Sequence, residues 1–508
     1  MNYKNHLALT LFFSLLVGCV QKGEEINFVP GTLYRVTTTE GEGFARFERM
    51  PDDQWHGVYY LNDGRLEAEA RDVSLKSDGE LTLTDIAGNT IPIINYSRYE
   101  EPEFTDYPET WTYRDSVYAV SIKEDVVFGS AKGYWISYPD TGGTLLEIYE
   151  AKEPELDRGM IGLDLTTDIY IPDDNMVASR PLLVLIHQGA FFNGDKRDIG
   201  FPEMARYFAG RGYVVASVNY RLGFELHLLE WSTPVDKAGI RAVQDVDAAI
   251  RYITHHRDTF AVDSSRVFVA GASAGGITAL NVAFMRDKDI PSGAKEEGPI
   301  SSISPEYQVS YTIRAVGNMW GAVNDLSILN NNDTTSIISF HSTTDPVVPY
   351  GDGHPFEKLK ILNLVLFPNM YGSERISNYL GPVRTTLKSY ADSSALERHS
   401  LHVERERDEN GNYILSPRFY EMESALCDYF SGVMLPNPVV PAHTDRSQVF
   451  QVMSPDIESV YWQVQGGVIL RHNGCIAEVL LFSDVPFHSI TVCGKYKSGL
   501  TYRHSWTL

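Results

Sequence analysis

The sequence feature that most constrains the fold is the stretch Val267–Gly276, which reads Val-Phe-Val-Ala-Gly-Ala-Ser-Ala-Gly-Gly. Its first half has the apolar, β-branched composition of a buried strand, and the mainly apolar stretch 277–284 that follows predicts a helix. A strand that turns into a helix around one serine strains the backbone and lifts the hydroxyl of Ser273 to the end of the sheet. Gly271 and Gly275 leave room for the helix and strand to approach each other. The stretch therefore predicts Ser273 as an exposed nucleophile.

Composition places the chain among folded proteins of several domains. A length of 508 residues is typical of two to four domains, and 43% apolar residues supply a sizeable core. The formal net charge is -24 and the isoelectric point is near 5.0. A strongly acidic chain is repelled by nucleic acid and by anionic membrane surfaces, so neither is expected as a partner.

The first 19 residues have the features of an export signal. Lys4 provides a positive start, residues 7–17 are mainly apolar but too short for a comfortable membrane span, and Leu16–Cys19 resembles the lipobox of bacterial lipoproteins. That resemblance implies lipidation of Cys19, and the alternative is an ordinary cleaved signal peptide. Residues 21–25 resemble the signal of surface-exposed bacterial lipoproteins. We therefore expect an exported protein that is lipid-anchored at the bacterial outer membrane or cell surface.

Three further cysteines, Cys427, Cys475 and Cys493, bear on disulfide and metal chemistry. An exported protein can form disulfides, and Cys475 and Cys493 are close enough in sequence to face each other across a small sheet. The odd number leaves at least one cysteine free, and a bridge between Cys475 and Cys493 remains one of two open alternatives. No cysteine or histidine cluster has structural zinc spacing, so no metal site is expected.

The sequence patterns near both ends of the chain predict β structure, and the central region has a different pattern. Residues 20–140 alternate short strands with turn signals such as Asn62–Gly64, which predicts an N-terminal antiparallel β domain. Its aromatic residues are interpreted either as core or as sugar-stacking surfaces, the candidates being Trp55, Tyr59, Trp111, Tyr113 and Tyr118. Residues 437–508 again read as short strands and predict a C-terminal β-sandwich. In that region, 461–469 resembles Ig-fold modules of the PKD type.

Between 141 and 436 strands alternate with helices, which predicts an α/β domain with a mainly parallel sheet. Continuously apolar strands such as Leu182–Ile186 and Val214–Val218 are typical of strands covered on both faces. The helix before Val267 has one apolar stripe from Ile240 to Ile253, with polar residues such as Arg241 elsewhere.

A serine nucleophile requires a base, a carboxylate that orients the base, and backbone N–H donors for the developing oxyanion. Asp345 follows an apolar strand and precedes a proline, so we expect its carboxylate in a loop at the carboxyl end of that strand. Two later histidines, His399 and His402, are both candidates for the base. The N–H donors are expected from Gly189 and Ala190, which follow the strand ending at Ile186, and from Ala274, which follows the nucleophile.

Four phrases together resemble the α/β-hydrolase superfamily, and specifically exported carboxylesterases and feruloyl or acetyl xylan esterases. These phrases are His187–Lys196, Asn219–Phe224, Gly271–Gly275 and Phe340–Tyr350, and the resemblance covers residues 164–432. The family places its acid before its base in the chain, which fits Asp345 and either histidine.

Details of the family phrases distinguish the two histidines and show two departures. The sequence His399-Ser-Leu resembles the phrase that holds the family's base, so the resemblance favours His399 over His402. Gln188 stands where the family has a glycine, and Arg398 stands where a glycine precedes the base.

The resulting hypothesis is a serine esterase that cleaves carboxylic esters through an acyl-enzyme and requires no metal or organic cofactor. Small-molecule esters and acetyl or feruloyl esters on polysaccharide are its candidate substrates, and the lipid at Cys19 would be its contact with the membrane. Two alternatives remain. One is a serine peptidase of the prolyl-oligopeptidase type, although about 120 residues of N-terminal β sequence is too short for its propeller. The other is a catalytically silent scaffold that binds glycan or protein, which the departures at Gln188 and Arg398 keep open.

Overall fold

A computed structural model describes the chain over most of its length. The described residues are 18–19, 28–77, 80–102, 111–139, 145–173, 179–225, 232–356, 368–391, 399–434, 448–452, 457–497 and 500–507. They form two units, one of residues 112–436 and one that combines residues 1–111 with 437–508. The predicted export signal and lipobox lie outside the described residues, apart from the backbone of Gly18 and Cys19.

The N-terminal region is built from short antiparallel strands, as predicted. They are β1 (Gly18–Cys19), β2 (Leu33–Thr38), β3 (Gly41–Arg49), β4 (Trp55–Leu61), β6 (Ala70–Ser77), β7 (Leu81–Asp85) and β8 (Thr90–Arg98), while the short strand β5 (Glu67–Ala68) lies outside their sheet. Among the described residues, the sheet has the order β1-β8-β2-β3-β4-β6-β7. Trp55 and Tyr59 are buried in its core, which favours the core interpretation for these two aromatic residues.

The unit 112–436 contains the α/β fold. Its strands are β9 (Val120–Gly133), β10 (Ile161–Pro172), β11 (Arg180–Ile186), β12 (Val214–Val218), β13 (Val262–Ala272), β14 (Ile313–Met319), β15 (Ser336–Ser342), β16 (Asp352–Gly353), β17 (Met370–Tyr371), β18 (Thr385–Tyr390), β19 (Val403–Arg407) and β20 (Tyr413–Leu415). Its helices are α1 (Leu145–Arg158), α2 (Phe201–Ala209), α3 (Ser232–His255), α4 (Arg257–Phe260), α5 (Ala274–Phe284), α6 (Ser373–Leu380) and α7 (Pro417–Met434). Short 3-10 helices lie at Asp287–Asp289, Ser292–Glu297, Ile300–Ser302 and Leu326–Asn331.

Eight of the described strands form the large sheet, in the order β18-β15-β14-β13-β11-β12-β10-β9. Every neighbouring pair from β12 to β18 is parallel, while β10 pairs antiparallel with both β12 and β9. The prediction of a mainly parallel sheet is therefore confirmed. The carboxyl ends of β11, β13 and β15 lie at one edge of this sheet, where ligands bind in open α/β folds.

The predicted boundary at residue 140 is wrong. Strand β9 falls within the predicted N-terminal β domain of 20–140, but it pairs with β10 from Val120↔Pro172 to Gly133↔Ile161. An antiparallel edge strand of an α/β sheet has the same alternating pattern as a strand of a small β domain, so the sequence pattern does not separate them.

Helix α3 carries the predicted apolar stripe, and its polar residues are also buried. Arg241 pairs with Glu297 at 2.7 Å, and Arg251 pairs with Asp247 at 2.7 Å. Arg251 also donates to the carbonyls of Ile303 and Ser304. The 3-10 segments after α5 thus cover the face of α3 that the sequence pattern left polar.

The C-terminal region has two small antiparallel sheets. Its strands are β21 (Val449–Gln451), β22 (Ile457–Gln465), β23 (Gly467–His472), β24 (Ile476–Phe482), β25 (Ser489–Tyr496) and β26 (Thr501–Thr507). Among the described residues, β21, β24 and β23 form one sheet, and β22, β25 and β26 form the other. Their packing as a PKD-like sandwich stays a prediction.

The two terminal β regions are not separate domains, contrary to the prediction of 20–140 and 437–508 as independent units. Strand β5 pairs with β24, and a shared core contains Phe44, Tyr60, Leu480 and Phe482. The rings of Tyr60 and Phe482 stack at 4.0 Å. This pairing joins segments about 400 residues apart, which local sequence patterns do not reveal.

The predicted alternative of a Cys475–Cys493 disulfide is wrong. Both cysteines are free, with Cys475 exposed and Cys493 buried. Cys475 precedes β24 and Cys493 lies inside β25, and these strands belong to different sheets. Within the described part of the chain, no helix has the length and apolar character needed to cross a membrane.

Candidate active site

Ser273 lies at the sharp turn between β13 and α5, as the sequence predicts. Its backbone has φ 52° and ψ -117°, a strained conformation for a residue with a side chain. A Cβ at Gly271 would lie 2.2 Å from the carbonyl oxygen of Gly275, and one at Gly275 would lie 2.1 Å from the carbonyl oxygen of Ile186. Both glycines are therefore required for the close approach of α5 to the sheet.

His399 joins Ser273 to Asp345. Its Nε2 lies 2.7 Å from Ser273 Oγ, and its Nδ1 lies 2.8 Å from Asp345 Oδ2 and 3.0 Å from Oδ1. Since Nδ1 faces a carboxylate that only accepts, it carries the proton, and Nε2 is left to accept from the serine hydroxyl. The arrangement can transfer a proton from Ser273 to His399.

The Asp345 carboxylate is buried, with 1% of the residue exposed. Burial alone raises the pKa of a carboxyl group, but charge interactions and hydrogen bonds with His399 and His341 outweigh it and hold the pKa of Asp345 well below its usual range. The backbone N–H groups of Val347 and Val348 also donate to Oδ1, at 2.8 and 3.0 Å. Asp345 is thus a carboxylate fixed in one orientation.

His402, the other candidate base, lies apart from this group of three side chains. Its ring stacks on Trp320 with centroids 5.5 Å apart, and its Nδ1 is buried without a hydrogen-bond partner among the described residues. Burial, together with the nearby His399, lowers the pKa of His402 to about 4. The ring is therefore neutral at pH 7. The geometry brings together Ser273, His399 and Asp345 and leaves His402 outside.

The predicted oxyanion donors lie on two segments that meet at Ser273. Ala190 and Ala274 line the same cavity as Ser273. Gly189 has φ 120° and Ala190 has φ 51°, so the loop is tightly turned, and a Cβ at Gly189 would lie 1.8 Å from the carbonyl oxygen of Asn193. The backbone of this loop is therefore tightly turned directly after Gln188, the residue that stands where the family pattern has a glycine.

The side chains of His187 and Gln188, which directly precede Gly189, lie in different surroundings. His187 stacks on Tyr220 with centroids 4.3 Å apart, and burial lowers its pKa to about 4. Its Nδ1 donates to the carbonyl oxygen of Gln188 at 2.7 Å, so His187 supports the loop. The Gln188 side chain lies 3.4 Å from the Ser400 hydroxyl, next to His399. Arg398, the other departure from the family pattern, lies outside the described residues.

A mainly apolar cavity of about 70 Å³ opens at Ser273. Its lining includes Phe191, Ile277, Met285, Val348 and Met370. A few polar groups, Asp236, Asn281 and Asn324, also lie along it. The position of the cavity beside the serine suits the acyl part of an ester.

A second cavity, of about 540 Å³, is lined mainly by polar side chains. Gln188, Ser400, His402, Asn412 and Tyr413 are among its lining residues. Its lining also includes Arg197, which forms an ion pair with Asp168, with Nε 2.5 Å from Oδ2. The loop after β11 therefore contributes to both cavities, with Gln188 on the polar one and Ala190 and Phe191 on the apolar one.

The sequence did not single out His341, which contacts the predicted acid. Its Nε2 lies 3.3 Å from Asp345 Oδ2, and its side chain is fully buried. The signal was its place four residues before Asp345, within the phrase Phe340–Tyr350 that carries the family resemblance. The cavity-lining residues Ile277 and Met370 are far apart in sequence and became visible only in the fold.

Comparison with known proteins supports the fold. Residues 167–343 match the family model described as BD-FAE, an esterase-like family of α/β-hydrolases. The predicted resemblance to esterase-type α/β-hydrolases is confirmed over this region. The matched segment contains β11, which is the strand that precedes the candidate donor loop. It also contains the Ser273 turn, and it ends two residues before Asp345.

Individual relatives match only part of their own length. Juvenile hormone esterase of Tribolium castaneum is 27% identical over 186 residues, which cover 36% of this chain and 26% of that protein. Non-reducing polyketide synthase Preu6 of Preussia isomera is 30% identical over 135 residues, or 26% of this chain and 6% of that protein. A solved structure of Thermogutta terrifontis esterase 2 phosphorylated by paraoxon is 21% identical, covering 54% of this chain and 92% of that chain, with a TM-score of 0.36.

Proposed function

We propose that the protein is a serine hydrolase that cleaves carboxylic esters through an acyl-enzyme. The observation that carries this proposal is the continuous contact from Ser273 Oγ to His399 Nε2 at 2.7 Å and from His399 Nδ1 to Asp345 Oδ2 at 2.8 Å. In this reaction Ser273 attacks the ester carbonyl while His399 accepts its proton. Asp345 stabilises the imidazolium that forms.

The same groups complete acylation and then carry out deacylation. His399 donates its proton to the departing alcohol, and the acyl group stays on Ser273. Water then attacks the acyl-enzyme with His399 as the base. The N–H groups of Gly189, Ala190 and Ala274 are assigned to the oxyanion, where one well-placed donor contributes about 3 kcal/mol.

We assign the acyl group to the cavity at Ser273. Its small volume and mainly apolar lining, which includes Phe191 and Ile277, favour a short acyl group such as acetyl. A bulky acyl group would require displacement of these side chains. The assignment predicts higher kcat/KM for acetyl esters than for long-chain acyl esters.

We assign the alcohol part of the ester to the polar cavity. Gln188, Ser400 and Asn412 offer amide and hydroxyl groups that suit an alcohol with several hydroxyls. The buried Nδ1 of His402 provides a further polar atom in the lining that lacks a partner among the described residues. These features support a carbohydrate ester as the substrate, with a sugar as the leaving alcohol.

A fluorophosphonate probe tests the proposal directly, because it reacts only with an activated serine. The wild-type protein is expected to be labelled, with the added mass on the peptide that contains Ser273. Thr278→Val is the matched control. This variant loses a buried hydroxyl on α5, the helix that follows Ser273, and Thr278 does not line the cavity. Absence of labelling in the wild type, with Thr278→Val and wild type equally folded, would favour the silent binding scaffold.

We also propose that the mature protein is lipid-anchored through Cys19 at the outer membrane or cell surface. The support is the lipobox-like phrase Leu16–Cys19 after a short apolar stretch. Cells that express the full chain with tritiated palmitate are expected to label the wild type and not Cys19→Ala. Equal labelling of both proteins, or of neither, would contradict the anchor.

A further inference from the structure

A line of buried polar side chains continues behind Asp345, on the side away from His399. Asn318 on β14, Ser373 at the start of α6 and His341 on β15 are all fully buried. Asn318 Nδ2 lies 3.1 Å from Ser373 Oγ, which lies 2.8 Å from His341 Nδ1. The line ends at Asp345, because His341 Nε2 is 3.3 Å from Oδ2. Buried polar groups of this kind are costly unless every one is paired.

The direction of each hydrogen bond follows from one backbone group. The N–H of Gly321 donates to Asn318 Oδ1 at 2.9 Å, which fixes the orientation of the amide. Asn318 Nδ2 therefore points its two hydrogens at Ser373 Oγ and at Ser339 Oγ, each at 3.1 Å. Because Ser373 accepts from Asn318, its own hydrogen is free to donate to His341 Nδ1.

The other nitrogen of His341 faces acceptors. Nε2 lies 3.2 Å from the carbonyl oxygen of Val348 and 3.3 Å from the Asp345 carboxylate, and neither oxygen can donate. Nε2 must therefore carry a proton. We assign Nδ1 as the acceptor from Ser373, which places the ring hydrogen of His341 on the side of Asp345.

Asp345 thereby receives N–H groups from at least four directions. These are the backbones of Val347 and Val348, the ring of His341 and the ring of His399. The carboxylate has about four lone-pair sites, so its orientation is closely determined. Among the described residues, the titratable groups that face it include His341 and His399, and the buried His402 is the further ring near His399.

We propose that His341 is a positioning residue for ester hydrolysis: Asn318 and Ser373 fix its Nε2–H tautomer, and that N–H orients the Asp345 carboxylate toward His399. This proposal rests on the proposed function for its kinetic consequence. His341 does not touch the substrate or the reacting atoms and acts through Asp345.

Loss of the His341 N–H has two kinetic consequences. The carboxylate is freer to rotate, so His399 is held less well against Ser273, and we expect kcat to fall by about tenfold to 100-fold. The carboxylate also keeps more of its charge density and holds the His399 proton more tightly. We therefore expect the acid limb of the kcat/KM profile to move to higher pH.

The kinetic test compares four variants of the full chain on p-nitrophenyl acetate. His341→Phe keeps the ring volume and removes both nitrogens, while His341→Gln restores an N–H donor. Ser373→Ala removes the hydroxyl that sets the tautomer. Ser339→Ala is the matched control, because Ser339 accepts from the same Asn318 amide but does not lead to His341.

The expected result is a moved acid limb and lowered kcat in His341→Phe, partial recovery in His341→Gln, and a smaller shift of the same sign in Ser373→Ala. Ser339→Ala should lower the melting temperature to the same extent as Ser373→Ala and keep the wild-type pH profile. The proposal is overturned if His341→Phe keeps the wild-type profile, or if Ser339→Ala moves it as much as Ser373→Ala does.

The tautomer is measured separately, without any reliance on activity. In the full chain with ¹⁵N-labelled histidine, long-range ¹H–¹⁵N correlation should show His341 protonated at Nε2 alone, with His341→Gln giving the assignment. Ser373→Ala should weaken that preference. If no ester is hydrolysed and this tautomer is present, the proposed function fails and the positioning arrangement stands. A wild-type ring protonated at Nδ1, or at both nitrogens, overturns the positioning proposal itself.

Discussion

The two cavities beside the candidate active site differ in chemistry although one loop lines both. The cavity at Ser273 is lined mainly by apolar side chains such as Phe191 and Ile277. The other has more polar side chains in its lining, among them Gln188, Ser400 and His402. An ester also has two unlike parts, an acyl group and an alcohol. The difference between the cavities is the basis of the proposal that the first takes the acyl group and the second the alcohol.

The two histidines of the segment 399–402 also differ in their surroundings. His399 is aimed at Ser273 and is paired on both nitrogens. His402 is three residues away, stacked on Trp320 and buried as a neutral ring. Spacing of three residues in a loop is enough to put one ring among the reacting groups and the other in the lining of the polar cavity.

The largest expected effect is from Ser273→Ala, which removes the nucleophile at the mouth of the apolar cavity. Hydrolysis of p-nitrophenyl acetate should fall by about 10⁴-fold to 10⁶-fold, since the other groups cannot form an acyl-enzyme. Initial rates against the Thr278→Val control measure this loss. Activity above one hundredth of wild type would mean that the reaction does not pass through Ser273.

Asp345→Asn should have the next largest effect, with kcat lower by about 10⁴-fold. The amide keeps the shape of the carboxylate but no longer favours the Nδ1–H form of His399, so Nε2 cannot accept from Ser273. Steady-state kinetics should show this loss in kcat rather than KM. As a control, Asp325→Asn alters a carboxylate that caps a surface turn and should keep wild-type kinetics.

Burial of His402 should make the free energy of unfolding depend on pH, because its pKa of about 4 in the fold lies below the ordinary value of 6.5. As pH falls from about 6.5 to 4, the unfolded chain binds a proton that the buried ring does not, so folding loses stability. His402→Phe keeps a ring against Trp320 and should remove a loss of about 3 kcal/mol between pH 7 and pH 4. Urea unfolding at both pH values measures it. Identical pH dependence in variant and wild type would contradict a buried neutral His402.

Ile277→Ala should have the smallest effect, a change of acyl preference. The variant enlarges the apolar cavity, so the ratio of kcat/KM for p-nitrophenyl butyrate over acetate should rise by about tenfold. Val282→Ala shortens an apolar side chain on the same helix outside the cavity lining and should keep the wild-type ratio. An unchanged ratio in Ile277→Ala would place the acyl group elsewhere.

The sequence was most informative where local backbone geometry demands particular residues. Gly271 and Gly275 cannot carry a side chain at the Ser273 turn, and these glycines between a predicted strand and a predicted helix made the turn predictable. Continuously apolar strands likewise indicated the parallel sheet. Asp345 was located because it follows one of those strands.

The features that the sequence did not predict depend on contacts between distant segments. The edge strand Val120–Gly133 and the pairing of Glu67–Ala68 with Ile476–Phe482 join elements whose local patterns suit several folds. His341 became significant only when α6 and β14 supplied Ser373 and Asn318. The preference for His399 over His402 came from a resemblance, since both lie in a loop with no periodicity to orient them.

The measurement that tests the account most directly is hydrolysis of p-nitrophenyl acetate at pH 7 by His399→Ala and His402→Ala beside the wild type. The account predicts that His399→Ala loses at least about 10⁴-fold in kcat, while His402→Ala, folded to the same extent, stays within about tenfold of wild type. Loss of activity in His402→Ala with activity retained in His399→Ala would contradict the assignment of His399 as the base.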